Sequence, residues 1–136
     1  MAKDFQLSIV APDRTIAEMR AESLIAPGVQ GYLGVMAGHV PAIVALKAGL
    51  IEYIESATSQ RHYVSTSGGF MDIGPDSVIV LADNAALAKD IDVKEAEAAL
   101  ERARAALRGE NSEMTSAEAT EELELAMARI RASKMA

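Results

Sequence analysis

The chain has 136 residues, half of them hydrophobic, with few aromatics and no cysteine. That length suits one domain, or one domain with an appendage, and the composition demands an aliphatic core and excludes disulfides, Cys-ligated zinc and thiol nucleophiles. The net charge of -7, with ten acids against six bases before Asp92 and ten against seven from it onward, argues against nucleic acid as a partner, because phosphate binding needs a basic patch.

From the N-terminus, Met1-Ala2-Lys3-Asp4-Phe5 carries an early acid and no apolar targeting run. No apolar stretch approaches the roughly 20 residues of a membrane helix. A soluble chain is predicted, with membrane association only through a partner. Phe5, Leu7 and Ile9 alternate with Gln6 and Ser8, the period of a half-buried strand. Further strand character falls at Arg14 to Met19, Ser23 to Ala26, Ala42 to Leu46, Gly49 to Glu55, Arg61 to Ser67, Phe70 to Ile73 and Ser77 to Leu81. Turn signals separate them at Pro12-Asp13, Pro27-Gly28, Ser56 to Gln60 and Gly74-Pro75-Asp76. Short strands at this spacing, with no helix between them, predict an antiparallel sandwich or barrel. Val78 to Leu81 reads as apolar on both faces and so as a central strand.

The grammar changes near Asp92. All four prolines, all five Phe and Tyr residues and eight of the nine glycines lie before it. Asp92-Val93-Lys94-Glu95 fits a capping box. Ala96, Ala99, Leu100, Ala103 and Leu107 form an apolar stripe, and Gly109 is the stop. Glu110 to Met114 reads as a polar loop. Thr115-Ser116-Ala117-Glu118 opens a second helix, whose stripe is Ala119, Leu123, Ala126, Met127 and Ile130. The result is an antiparallel two-helix hairpin. Alanine stripes bury little area, so weak docking on the body is expected.

No catalytic constellation emerges. His39 and His62 lack metal-ligand spacing. His39 reads as a capped loop residue and His62 as an exposed strand residue. Gly68-Gly69 lacks the Lys-Ser/Thr of a phosphate loop and reads as a bulge or tight bend. Arg102 and Arg129, on facing helices, are placed to pair with glutamates or clasp a phosphate.

The run Pro27-Gly28-Val29-Gln30-Gly31-Tyr32-Leu33-Gly34-Val35-Met36-Ala37-Gly38-His39-Val40-Pro41 resembles a segment of the epsilon subunit of F-type ATP synthases. Ser67-Gly68-Gly69-Phe70, Val80-Leu81-Ala82-Asp83 and Ile91-Asp92 resemble three more of that family's segments, in the same order. The resemblance implies a flattened antiparallel β-sandwich of about ten strands over residues 1–90. A mobile helical hairpin over 91–136 follows. It implies a non-catalytic rotor-stalk role, with the gamma subunit and the c-subunit ring as partners of the sandwich. The hairpin would meet the alpha and beta subunits when extended and so inhibit ATP hydrolysis. It also implies the cytoplasmic face of a bacterial membrane, or the stromal face of a thylakoid. Gly31, Tyr32, Leu33, Gly34, Gly38 and His39 match the segment that faces the ring. Many members have an acid where Tyr32 stands and a proline where Ala37 stands. Ile91, Asp92, Ala96 and Arg129 match positions that bind ATP in some members. Glu95 and Leu125 stand where those members carry arginine. An acid in place of a phosphate-facing cation predicts weak or absent ATP binding, and no resident cofactor is expected. The competing reading is an unrelated β-sandwich binding module with a helical dimerisation tail.

Overall fold

The computed structural model describes residues 4–110 and 113–135. The expectations at Met1 to Lys3, and at Asn111 and Ser112 in the inter-helix loop, lie outside the described residues. Seven strands come first: β1 (Phe5–Ala11), β2 (Arg14–Gly28), β3 (Gly31–Met36), β4 (Ala42–Glu55), β5 (Arg61–Ile73), β6 (Ser77–Asp83) and β7 (Ala86–Leu87). A 3-10 turn, Ala88–Asp90, leads to α1 (Val93–Leu107) and α2 (Ser116–Met135).

The strand order is β1-β6-β5-β4-β2-β3, with β7 on β5, and β1 also pairs with β2. That last pairing closes the sheet on itself. Three long strands change partners midway. β2 runs beside β1 through Ala21, then beside β3 and β4 after a register shift between Ala21 and Ser23. The early half of β4 faces the late half of β5, which also carries β6; its late half faces the early half of β5, which carries β7. Two layers result. One holds the start of β2, β1, β6, the end of β5 and the start of β4. The other holds β3 and β7 with the remaining halves. Counted by halves, the strands reproduce the expected flattened sandwich. One pairing departs from the antiparallel expectation: β1 and β6 are parallel.

Alternation drives the packing. Phe5, Leu7, Ile9, Met71, Ile73, Val78 and Val80 of one layer meet Leu24, Ile51, Tyr53 and Val64 of the other in a single aliphatic core. β6 is not apolar on both buried faces as the sequence implied. Val78, Val80 and Ala82 point inward, whereas Ile79 and Leu81 point to solvent. Gly69 shows why β5 carries a glycine pair where it passes between layers: its φ is +137°, and a Cβ there would lie 1.9 Å from the Leu81 carbonyl oxygen of β6. The pair is therefore a close backbone approach inside a strand.

The helix ends follow the sequence. Asp92 Oδ1 accepts from the Glu95 N–H at 3.2 Å. Thr115 and Glu118 form the full reciprocal box: Glu118 N–H donates to Thr115 Oγ1 at 3.1 Å, and Thr115 N–H donates to Glu118 Oε1 at 3.3 Å. Gly109 (φ +81°) closes α1. Its N–H reaches Ala106 O while Glu110 N–H reaches Ala105 O, the double bond of a Schellman end.

Hairpin packing differs from the predicted stripes. Ala96, Ala99 and Ala103 are buried on α1, but Leu107 and Met127 are exposed. On α2, both Ala119 and Ala126 and also Ala128 and Ala132 are buried. At about 100° per residue, Ala126 and Ala128 point to opposite sides of the helix. So α2 lies between α1 and the sandwich, and it is α2 that packs on β4 and β5. Its docking cluster is small: Leu50, Ala88 and Ala132, flanked by Tyr63 and Ile91.

Candidate functional site: docking surfaces of the sandwich and the hairpin cleft

Three surfaces concern function. The first is the outer face of the layer containing β6. Register puts Val10 beside Leu81, Leu81 beside Phe70 and Phe70 beside Ala45. The adjacent row is Ser8, Ile79, Asp72 and Ile43. Phe70 is 57% exposed, Leu81 55% and Ile43 76%. A row of large apolar groups outside a sandwich that already has a filled core marks a candidate interaction surface. The sequence reading missed this face, because it took the apolar run of β6 as a mark of burial. The signal available was Phe70, an aromatic one residue beyond the glycine pair.

The second surface is the end of the sandwich carrying the predicted Gly31, Tyr32, Leu33, Gly34, Gly38 and His39. Gly31 (φ +132°) makes the tight β2–β3 turn, where it pairs with Gly28, and Gly38 (φ +81°) makes the β3–β4 turn. Tyr32 is exposed, but its hydroxyl accepts the Leu50 N–H at 3.4 Å. Gly49 allows this, since a Cβ there would lie 2.8 Å from the Tyr32 hydroxyl. Leu33 packs partly against the core, and Gly34 has open space around it. His39 Nδ1 lies 2.7 Å from the Val40 carbonyl oxygen. A carbonyl only accepts, so Nδ1 is the donor in this contact. Val29, Met36 and Val40 expose further apolar area around these turns.

The third surface is a cleft of about 740 Å³ between the hairpin and the sandwich edge. Glu95, Arg102, Glu118, Glu121, Glu122, Leu125 and Arg129 line it from the helices, and Ser67, Asp83 and Asn84 from the body. Of the four predicted nucleotide-type residues, only Arg129 lines the cleft. Asp92 caps α1, Ala96 is buried on α1, and Ile91 flanks the docking cluster. Arg102 bridges the helices: Nη2 lies 3.3 Å from both Glu95 Oε1 and Glu122 Oε1. Of the two roles open to Arg102, it takes pairing. Arg129 Nε is buried with no hydrogen-bond partner. The sequence could not anticipate Ser67, Asp83 and Asn84 as walls, because they arrive from the sandwich through the tertiary fold. Asn84, itself at φ +48°, donates to Ser67 Oγ at 3.0 Å.

His62 corrects a reading. It is half-buried rather than exposed; its ring stacks on Tyr53 at 5.1 Å between centroids, and Nε2 lies 3.1 Å from Glu55 Oε1. Burial, with help from the Glu55 charge, pushes the Tyr53 phenol up to about 12. Among the described residues no group of three or more His, Cys, Asp or Glu is placed to hold a metal. No helix among the described residues is long and apolar enough to cross a membrane.

A closed sandwich with a bare apolar face and an appended hairpin defines a docking subunit. The beta-sandwich domain of the ATP synthase delta/epsilon chain matches residues 4–88, and its long alpha-helix domain matches residues 89–134. The ATP synthase epsilon chain of Moorella thermoacetica is 42% identical over 93% of this chain and 94% of its own. That of Syntrophomonas wolfei is 38% identical over 96% and 94%. A chain of the Euglena gracilis mitochondrial ATP synthase, solved by cryo-EM with OSCP, F1 and c-ring, shares the fold. Its TM-score is 0.76 at 21% identity, covering 99% of this chain and 82% of that one. The chain belongs to the ATP synthase delta/epsilon family, as one of its epsilon chains, a non-catalytic subunit. That removes the alternative of an unrelated sandwich with a dimerisation tail.

Proposed function

We propose that this chain is the coupling and regulatory subunit of the synthase's central stalk. The apolar outer face around Phe70 and Leu81 docks the gamma subunit. The turn-bearing end from Gly31 to His39 faces the c-subunit ring. The hairpin is the brake, folded on the sandwich through its small alanine-rich contact or extended toward the alpha and beta subunits, where it obstructs hydrolysis. Its place is the cytoplasmic side of a bacterial membrane, reached only through the complex; the bacterial origin of the Moorella and Syntrophomonas relatives supports this. The observation that carries the reading is the row of exposed Leu81 and Phe70, flanked by half-buried Val10, on a layer whose other face is packed in the core. Such a row associates through desolvation. Charging its centre with Phe70→Glu or Leu81→Glu removes a hot spot without touching the core. Either variant is expected to weaken gamma binding about a hundredfold while keeping the far-UV spectrum and melting midpoint. Full gamma binding by both variants would refute this docking face.

We propose further that the hairpin cleft of this chain does not serve as a strong ATP site. Glu95, Glu118, Glu121, Glu122 and Asp83 present carboxylates around it, and Arg102 is already committed to two of them. A triphosphate would enter against that field and would have to displace an existing ion pair. Calorimetry on the isolated chain is expected to show no heat of ATP binding at micromolar concentrations; a micromolar isotherm would contradict it.

A further inference from the structure

A fourth feature lies away from all three surfaces. Between the layers, where the start of β2 and the short β7 form facing edges, the core opens in a cavity of about 380 Å³. Its walls are Ile16 and Met19 from β2, Tyr53 from β4, His62 from β5, Leu87 from β7 and Lys89 from the 3-10 turn that follows. Arg14 closes one side of this edge by donating from Nη2 to the Ala85 carbonyl at 3.3 Å. The volume falls in the range of small-molecule sites, and the make-up is theirs as well: an apolar and aromatic body with a few polar groups at the rim.

The rim charges indicate which ligand fits. Glu55 is engaged by His62, and Arg61 is engaged by Glu52, which faces the other side of the sheet. Lys89 is exposed and has no carboxylate partner among the described residues. Lys89 is therefore the one charged group at the mouth with no side-chain partner among the described residues, set beside the apolar walls of a half-open cavity. The same 3-10 turn that carries Lys89 buries Ala88 in the cluster on which Ala132 of α2 docks. Ala88 thus touches the cavity on one side and the hairpin contact on the other. We infer that this inter-layer mouth is a binding site for a small amphipathic anion, an aryl or alkyl carboxylate or sulfonate, whose occupancy is transmitted through the Ala88–Asp90 turn to the docking of the hairpin. The apolar body lies against Ile16, Met19, Leu87 and the Tyr53–His62 stack; the anionic head meets Lys89.

The probe is 8-anilinonaphthalene-1-sulfonate, titrated into the full chain and followed by fluorescence and by amide chemical shifts. Saturable binding is expected with shifts at Ile16, Met19, His62 and Leu87, and with secondary shifts at Ala88 and Ala132. Lys89→Glu is expected to weaken it about tenfold, the loss of one charge-assisted contact. Ile16→Trp, which fills the chamber with an apolar group, is expected to abolish it. Shifts confined to Phe70, Ile79 and Leu81 would overturn the site, as would affinity unchanged in both variants. Shifts at the mouth with none at Ala132 would overturn the coupling to the hairpin.

Discussion

Gly69→Ala is expected to cost about 3 kcal/mol or more, the sum of a left-handed backbone penalty and an overpacking penalty. Stability of a domain this size is about 5–15 kcal/mol in total, so the variant should lose a large fraction of it. The cause is specific. The added methyl would lie 1.9 Å from the Leu81 carbonyl oxygen and 3.1 Å from the Ala82 Cα. Both are backbone atoms of β6, a strand held on its far side by β1. Neither can yield without breaking a ladder. Gly34→Ala is the control, because nothing stands within 4 Å of its Cβ position; it should change stability by no more than about 0.5 kcal/mol. Urea unfolding of the two variants checks the contrast, and equal midpoints would contradict it.

Ala132→Glu is expected to release the hairpin while leaving the sandwich folded. Ala132 is fully buried between α2 and the sandwich, in contact with Leu50 and Ala88. A carboxylate cannot stay there unpaired, and burying one costs far more than the contact supplies. The cheaper response is undocking, because the cluster offers only two alanines, one leucine and the flanks of Tyr63 and Ile91. The ratio of docked to undocked hairpin should fall at least about a hundredfold. Amide exchange on α2 should accelerate by that factor while Ile51, Val64 and Val80 keep their protection. Loss of protection throughout the sandwich would show that hairpin and body form a single cooperative unit.

The division near Asp92 was legible because two physical regimes meet there: strands punctuated by glycine and proline, then helices built from alanine, glutamate and arginine. Both N-caps and the Gly109 stop were legible too, since capping depends on a few adjacent residues. The strands were legible by halves: the sequence breaks β2, β4 and β5 each in two, near Ala21, Gly49 and Gly68-Gly69, where the structure carries one continuous strand from layer to layer. What stayed hidden is that each pair of halves is a single strand, because a bulge or a glycine inside a strand reads like a turn. The face of β6 was misread because an exposed apolar side chain looks, in one sequence, like an apolar side chain in a core. Ala128 and Ala132 escaped notice for a related reason. Alanine is the best helix former and is equally at home buried or exposed, so an alanine on the second buried face of α2 sends no signal. The Arg102 bridge joins residues seven and twenty positions apart, and only the helix pairing brings them together.

The central claim is that the sandwich anchors and the hairpin regulates. Its most direct test removes Asp92 to Ala136 and measures two properties of the remainder: binding to the gamma subunit, and hydrolysis of ATP by the reconstituted enzyme. The sandwich closes its own sheet and holds its own core, so it should fold and bind gamma as the full chain does. Hydrolysis should rise, because the brake is gone. Failure of the folded sandwich to bind gamma would contradict the account.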